Sequence, residues 1–174
     1  MAKPILYMLL GYPGAGKTTA AKIIEKLTGA QRLTSDVERL KMFPRPQFSE
    51  TEHAQLYRQL DEETSKLLAS GQSVIYDANL NRYTHRSDKY KICQQTSAIP
   101  VLVWLNTDRS LSKQRATDKT REKLWPIGEN PEAMLSRIAD LIETPRPSEN
   151  PIILNGSGLS PDIVEAALKL HNLV

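Results

Sequence analysis

The 174-residue sequence predicts a doubly wound α/β fold on a five-stranded parallel sheet. Three observations predict it. Short apolar runs alternate with segments of helical period along the whole chain. The run Val101-Leu102-Val103-Trp104-Leu105 is apolar without alternation, as a strand buried on both faces is. The first run, Ile5 to Leu10, leads directly into Gly11-Tyr12-Pro13-Gly14-Ala15-Gly16-Lys17-Thr18-Thr19, which fits the phosphate-loop pattern GxxxxGK[ST] between a strand and a helix.

Each element has its own local signal. A helix from Lys17 carries Ala20, Ile23, Ile24 and Leu27 at helical spacing and stops at Gly29. A short strand, Arg32 to Thr34, meets Ser35-Asp36-Val37-Glu38, which reads as a capping box opening a short helix. The prolines at 44 and 46 mark residues 42–48 as an irregular loop. A long helix is expected from about Thr51 to Ser70, with Leu56, Leu60, Leu67 and Leu68 on one face and Gly71 as its stop. The strand Ser73 to Tyr76 runs into Asp77-Ala78-Asn79, and a helix covers roughly Arg82 to Gln95. After the strand at 101–105 come a basic segment and a helix carrying Met134, Leu135, Ile138, Leu141 and Ile142, broken by Pro145 and Pro147. A last strand, Pro151 to Leu154, precedes a helix capped by Ser160 with Pro161 at its first position. The whole chain reads as one domain, with a short basic lid at about 108–130.

Composition sets the class. Hydrophobic residues at 40% and charged residues at 25% are ordinary for a globular chain. The apolar runs are too short to span a bilayer, and the reading expects no signal peptide before the first strand. A single cysteine, Cys93, excludes an intrachain disulfide framework and reads as a packing residue. The expected compartment is the cytoplasm. The net charge of +3 sits in residues 108–123, where Arg109, Lys113, Arg115, Lys119, Arg121 and Lys123 face Asp108, Asp118 and Glu122. Such confinement suggests a local anion-binding element and argues against a broad nucleic-acid-coating surface.

In a doubly wound sheet, ligands sit at the carboxyl ends of the strands. Three of those ends carry polar residues that should converge on one site. In the first, the glycine-rich turn of Gly11, Pro13, Gly14, Ala15 and Gly16 points its backbone amides into a concavity for phosphate oxygens, aided by the positive end of the following helix. Lys17 reaches the β and γ phosphates, Thr18 places its hydroxyl on Mg²⁺, and Thr19 completes the loop. Asp36 reads either as a general base or as a carboxylate favouring the helix dipole. Arg39, one turn on, either binds an anionic group on an acceptor or is solvated. Asp77 ends an apolar strand as a metal-holding aspartate does, or begins an Asx turn. Asn79 bonds the acceptor or makes a turn. In the basic segment Arg115 and Lys119, four residues apart, can clamp phosphates, with Arg121 beside them. The histidines at 53, 85 and 171 lack metal-ligand spacing.

The combination GYPGAGKTT, Ser35-Asp36-Val37-Glu38-Arg39 and Val74-Ile75-Tyr76-Asp77-Ala78-Asn79-Leu80-Asn81 resembles the P-loop kinases that include the kinase domain of polynucleotide kinase. The resemblance implies a P-loop kinase fold, with strand order 2-3-1-4-5, and transfer of the γ-phosphate of ATP, with Mg²⁺, to a hydroxyl. It implies Asp36 as general base, Arg39 on the phosphate beside the acceptor hydroxyl, and the Asp77–Asn79 strand end lining the acceptor site. It implies lid contacts to ATP from Arg115 and, where the family has a second arginine, from Lys119, which lacks the bidentate fork. The family also contains small-molecule kinases, so the acceptor is either a nucleic-acid 5′ end or a small molecule such as a nucleoside, sugar or antibiotic. A P-loop ATPase switch that phosphorylates no acceptor is the reading from another class.

Overall fold

The computed structural model describes residues 2–118 and 130–174. Its order is β1 (Ile5–Leu10), α1 (Lys17–Thr28), β2 (Gln31–Thr34), α2 (Ser35–Met42), α3 (Glu50–Ala69), β3 (Val74–Asp77), α4 (Tyr83–Thr96), β4 (Ile99–Leu105), α5 (Arg109–Thr117), α6 (Pro131–Asp140), β5 (Ile152–Leu154) and α7 (Pro161–Leu170), with a 3₁₀ turn at Pro147–Glu149. The strands pair in the order β2-β3-β1-β4-β5, and every pairing is parallel. This is the expected doubly wound sheet in the expected order.

The central strand shows why its sequence does not alternate. Leu6, Met8 and Leu10 pack on one face with Leu56, Leu60 and Leu68 of α3 and Cys93 of α4. Tyr7 and Leu9 pack on the other with Ala20, Ala21 and Ile24 of α1 and Val164 and Leu168 of α7. Both faces are covered, so alternation would bring polar groups into a core. Burying each large apolar side chain of β1 contributes about 1.5–3 kcal/mol. Cys93 is buried, and that burial pushes its thiol up to about 12, as befits a packing residue.

Helix ends follow their local chemistry. Ser49 caps α3 by accepting the Glu52 amide, and Ser160 caps α7 by accepting that of Ile163. The capping box expected at Ser35 does not form. β2 runs without a break into α2, so Thr34 holds the cap position in an extended conformation and Ser35 is already helical. Asp36 consequently stands in the first turn of α2, two residues past the end of β2. Among the described residues no helix is long and apolar enough to cross a membrane.

Candidate active site

The phosphate loop leaves β1 at Gly11 and closes on α1 at Lys17. Gly14 and Gly16 adopt φ of +83° and +106°, where side chains are disfavoured. Space is equally tight at Gly14: a Cβ there would lie 2.1 Å from the Ser112 carbonyl oxygen of α5. The Lys17 ammonium donates to the carbonyls of Gly11, at 2.7 Å, and Tyr12, at 3.0 Å. Protein crowded around it pushes Lys17 down to about 8, an effect that Asp77 partly offsets.

A cleft of about 280 Å³ opens beside this loop. Lys17 and Thr18 line it together with Asp36 from the head of α2 and Asp77 and Asn79 from the end of β3. Strand order explains the meeting. β3 lies between β1 and β2, so the carboxyl ends of three neighbouring strands open on one space. Burial raises the Asp36 carboxyl above its ordinary value of 3.8, while Arg39 pulls it back. Asp77 is almost fully buried and is also raised by burial. Arg32 of β2 pairs with it at 3.3 Å and pulls it back down, and Lys17 acts on it in the same direction as Arg32. Asn79 makes the turn that its residue type allows: its Oδ1 accepts the Asn81 amide at 3.0 Å.

Arg39 does not line this cleft. It is 4% exposed, and its Nη2 donates to His53 Nδ1 at 3.0 Å. Nη1 lies 3.9 Å from Glu52, and the guanidinium sits 4.8 Å from the Phe48 ring centre. The loop before α3 folds over α2 and takes the guanidinium into that cluster. Because arginine only donates, His53 holds its ring proton on Nε2. Burial and Arg39 both keep its imidazole below the ordinary value.

A second cavity, of about 430 Å³, adjoins the cleft at Asn79. Phe48, His53, Tyr57 and His85 bring rings to its wall, and Lys89 is held there by Asp61. Sequence reasoning did not find this cavity, since its lining comes from one face each of two helices that sequence does not show to be neighbours.

On the opposite side of the phosphate loop, Gly14, Gly16, Thr19 and Arg115 border a recess of about 250 Å³ with Gly156, Ser157 and Gly158. Arg115 Nη1 donates to the Gly156 carbonyl at 2.8 Å. The Thr107 hydroxyl donates to the Ala15 carbonyl at 2.8 Å and accepts from the Gly156 amide at 3.0 Å. Sequence reasoning misses Thr107 and the 156–158 turn, although a signal for them exists. Both stand just past the carboxyl ends of β4 and β5, where a doubly wound sheet places its ligands. α5 ends at Thr117, and Lys119 and Arg121 lie outside the described residues.

The donor set suits a nucleoside triphosphate with its magnesium. Gly14 and Gly16 hold the loop in left-handed turns that L side chains disfavour, and the missing Cβ at Gly14 lets α5 pack against the loop. Mg²⁺ keeps several waters and takes one or two protein oxygens beside those of phosphate, which Thr18 and Asp77 can supply. Among the described residues no group of three or more His, Cys, Asp or Glu side chains could hold a metal on its own.

Sheet order, phosphate loop and converging strand ends define a domain with the P-loop kinase fold. The chain belongs to the AAA_33 family, described as an AAA domain, which matches residues 6–145. Among solved structures it is similar to a putative kinase from Chloroflexus aurantiacus, with TM-score 0.76 and 16% identity over 99% of this chain and 100% of that one. It is similar to a sugar kinase from Janibacter, with TM-score 0.70 and 19% identity over 98% and 96%. It is also similar to a chain of the Pnkp1/Rnl/Hen1 RNA repair complex, with TM-score 0.68 and 19% identity over 81% of this chain and 44% of that one. No curated protein matches.

Proposed function

We propose that this protein is an ATP-dependent phosphotransferase that moves the γ-phosphate to a hydroxyl of a nucleoside-sized acceptor. One observation carries this reading: Asp36, a carboxylate raised by burial, shares a cleft with Lys17 and Thr18 of the phosphate loop. A switch ATPase that only hydrolyses its nucleotide has no need of an acceptor-sized cavity adjoining the phosphate-side cleft.

In this reading the phosphate-loop amides and Lys17 hold the β and γ phosphates. Lys17 offsets the charge that spreads over the transferring group. Asp36 accepts the proton of the acceptor hydroxyl as its oxygen bonds to the γ-phosphorus; the bond from phosphorus to the bridging oxygen breaks, and ADP leaves. Thr18 and Asp77 would hold magnesium, which would neutralise phosphate charge. Arg115 and the 156–158 turn border the nucleoside end of ATP.

The ring-lined cavity supports the acceptor class. A nucleoside, free or at the 5′ end of a nucleic acid, can stack on Phe48, Tyr57 or a neutral imidazole. Arg39 supports a compact acceptor, because its guanidinium is already engaged by His53 and Phe48. The test is transfer of labelled γ-phosphate to nucleosides, 5′-hydroxyl oligonucleotides, sugars and aminoglycosides. Labelled nucleoside or oligonucleotide is expected. Slow hydrolysis with no labelled acceptor in any class would overturn the reading.

A further inference from the structure

Arg86 lies in the first turn of α4 with no exposed surface. Its Nε and Nη2 fork onto the Glu149 carboxylate at 2.7 and 3.0 Å. Its Nη1 donates to the carbonyls of Leu80 and Asn81, at 3.0 and 3.1 Å. Four donated bonds from one planar group hold the turn after β3 to the 3₁₀ turn at Pro147–Glu149. Lysine cannot reproduce them, since it has no fork.

The turn held in this way borders the candidate site. Asn79 and Asn81 line the phosphate-side cleft, and Asn79 also lines the ring-walled cavity. A second link reaches the same turn from the segment joining α6 to β5. Glu143 donates its amide to the Asn81 carbonyl at 2.8 Å and accepts the Tyr83 amide on its carboxylate at 3.0 Å. Arg82, at the head of α4, makes no side-chain cap, so Glu143 supplies one from a distance. The α6 helix itself sends Ile138 to the wall of the cleft.

A buried ion pair adds little net stability over apolar packing of the same volume, so its worth is in the geometry it imposes. We infer that Arg86 is a positioning residue: with Glu149 and Glu143 it sets the Asn79–Asn81 turn against the phosphate loop and so places the acceptor. The inference rests on the phosphotransfer reading.

Two variants test it, Arg86→Lys in the buried fork and Glu143→Ala outside the core. Each is compared with wild type by acceptor KM, ATP KM and amide hydrogen exchange at Asn79, Asn81 and Tyr83. The expected result is an acceptor KM raised about tenfold in Arg86→Lys and less in Glu143→Ala, ATP KM within about twofold, and faster exchange at the three amides. Equal rises in both KM values, or unchanged exchange in a folded Glu143→Ala, would overturn the inference. If the wild type phosphorylates no acceptor, the phosphotransfer reading fails, and the exchange comparison still decides whether the turn is held as described.

Discussion

The Thr107 hydroxyl accepts the Gly156 amide at 3.0 Å while donating to the Ala15 carbonyl inside the phosphate loop at 2.8 Å. One side chain just past the end of β4 thus joins the loop after β1 to the loop after β5. The approach is so close that a Cβ on Gly156 would lie 1.9 Å from the Ala15 carbonyl oxygen. Thr107→Val keeps the shape and removes both bonds, leaving two buried backbone groups without partners. The expected loss is about 1–3 kcal/mol in urea unfolding, with weaker ATP binding and recovery in Thr107→Ser. A valine variant as stable as wild type would refute the bridge.

Asp36→Asn separates chemistry from binding. Loss of the proposed base should lower kcat by about 10²–10⁴, with ATP affinity held within about threefold. Because the Asp36 carboxyl lies above 3.8, kcat/KM of the wild type should rise with pH through that raised value and then level. Equal losses in ATP binding and turnover would remove Asp36 from this role.

Stability gives Asp36 a second readout with the opposite sign. A carboxyl raised by burial favours its protonated form in the fold, so its contribution is full in acid and is lost as pH rises through the raised value. Asp36→Asn should therefore be more stable than wild type at neutral pH, with the difference closing in acid. Unfolding curves across that range would show it; a gain that grows in acid would contradict the burial effect.

Burial pushes the Lys17 ammonium down to about 8. Phosphate would favour its charged form, so binding above that pH should take up a proton, and affinity should fall as pH rises further. Calorimetry in buffers of different ionisation enthalpy measures the uptake. It should vanish in Lys17→Met; uptake persisting there would place the proton elsewhere.

Arg32→Ala removes the partner that reaches Asp77 from the neighbouring strand. Arg32 is one-fifth exposed, so the expected loss is about 1–3 kcal/mol, below that of a fully buried pair. The loss should shrink when Asp77→Asn is already present, because the uncompensated charge is then gone. Denaturant midpoints of the four proteins give the coupling, and simple additivity would show that the pair does not interact.

Much of this was legible in the chain. Periodicity and glycine stops placed six of the seven helices to within about two residues, and apolar runs placed five strands, because these signals are local; α5 was read only as a basic segment. The same locality misled at Ser35, where a valid capping pattern lies inside a helix that grows straight out of β2. Polar residues at the strand ends put Lys17, Thr18, Asp36, Asp77 and Asn79 into one cleft once the strand order was known. Arg39 could be placed on the right helix, but the loop that folds over it could not be read.

By itself the sequence determined the strands, most of the helices and the phosphate loop, since backbone geometry and side-chain period act over a few residues; the strand order came with the family resemblance. Tertiary structure alone decided which partners the site residues keep. Arg32 and Asp77 are separated by 45 residues, Arg86 and Glu149 by 63, and Thr107 and Ala15 by 92. No local pattern encodes such pairs. They form when packing removes water from polar groups that must then find one another, and only the folded arrangement fixes which are within reach.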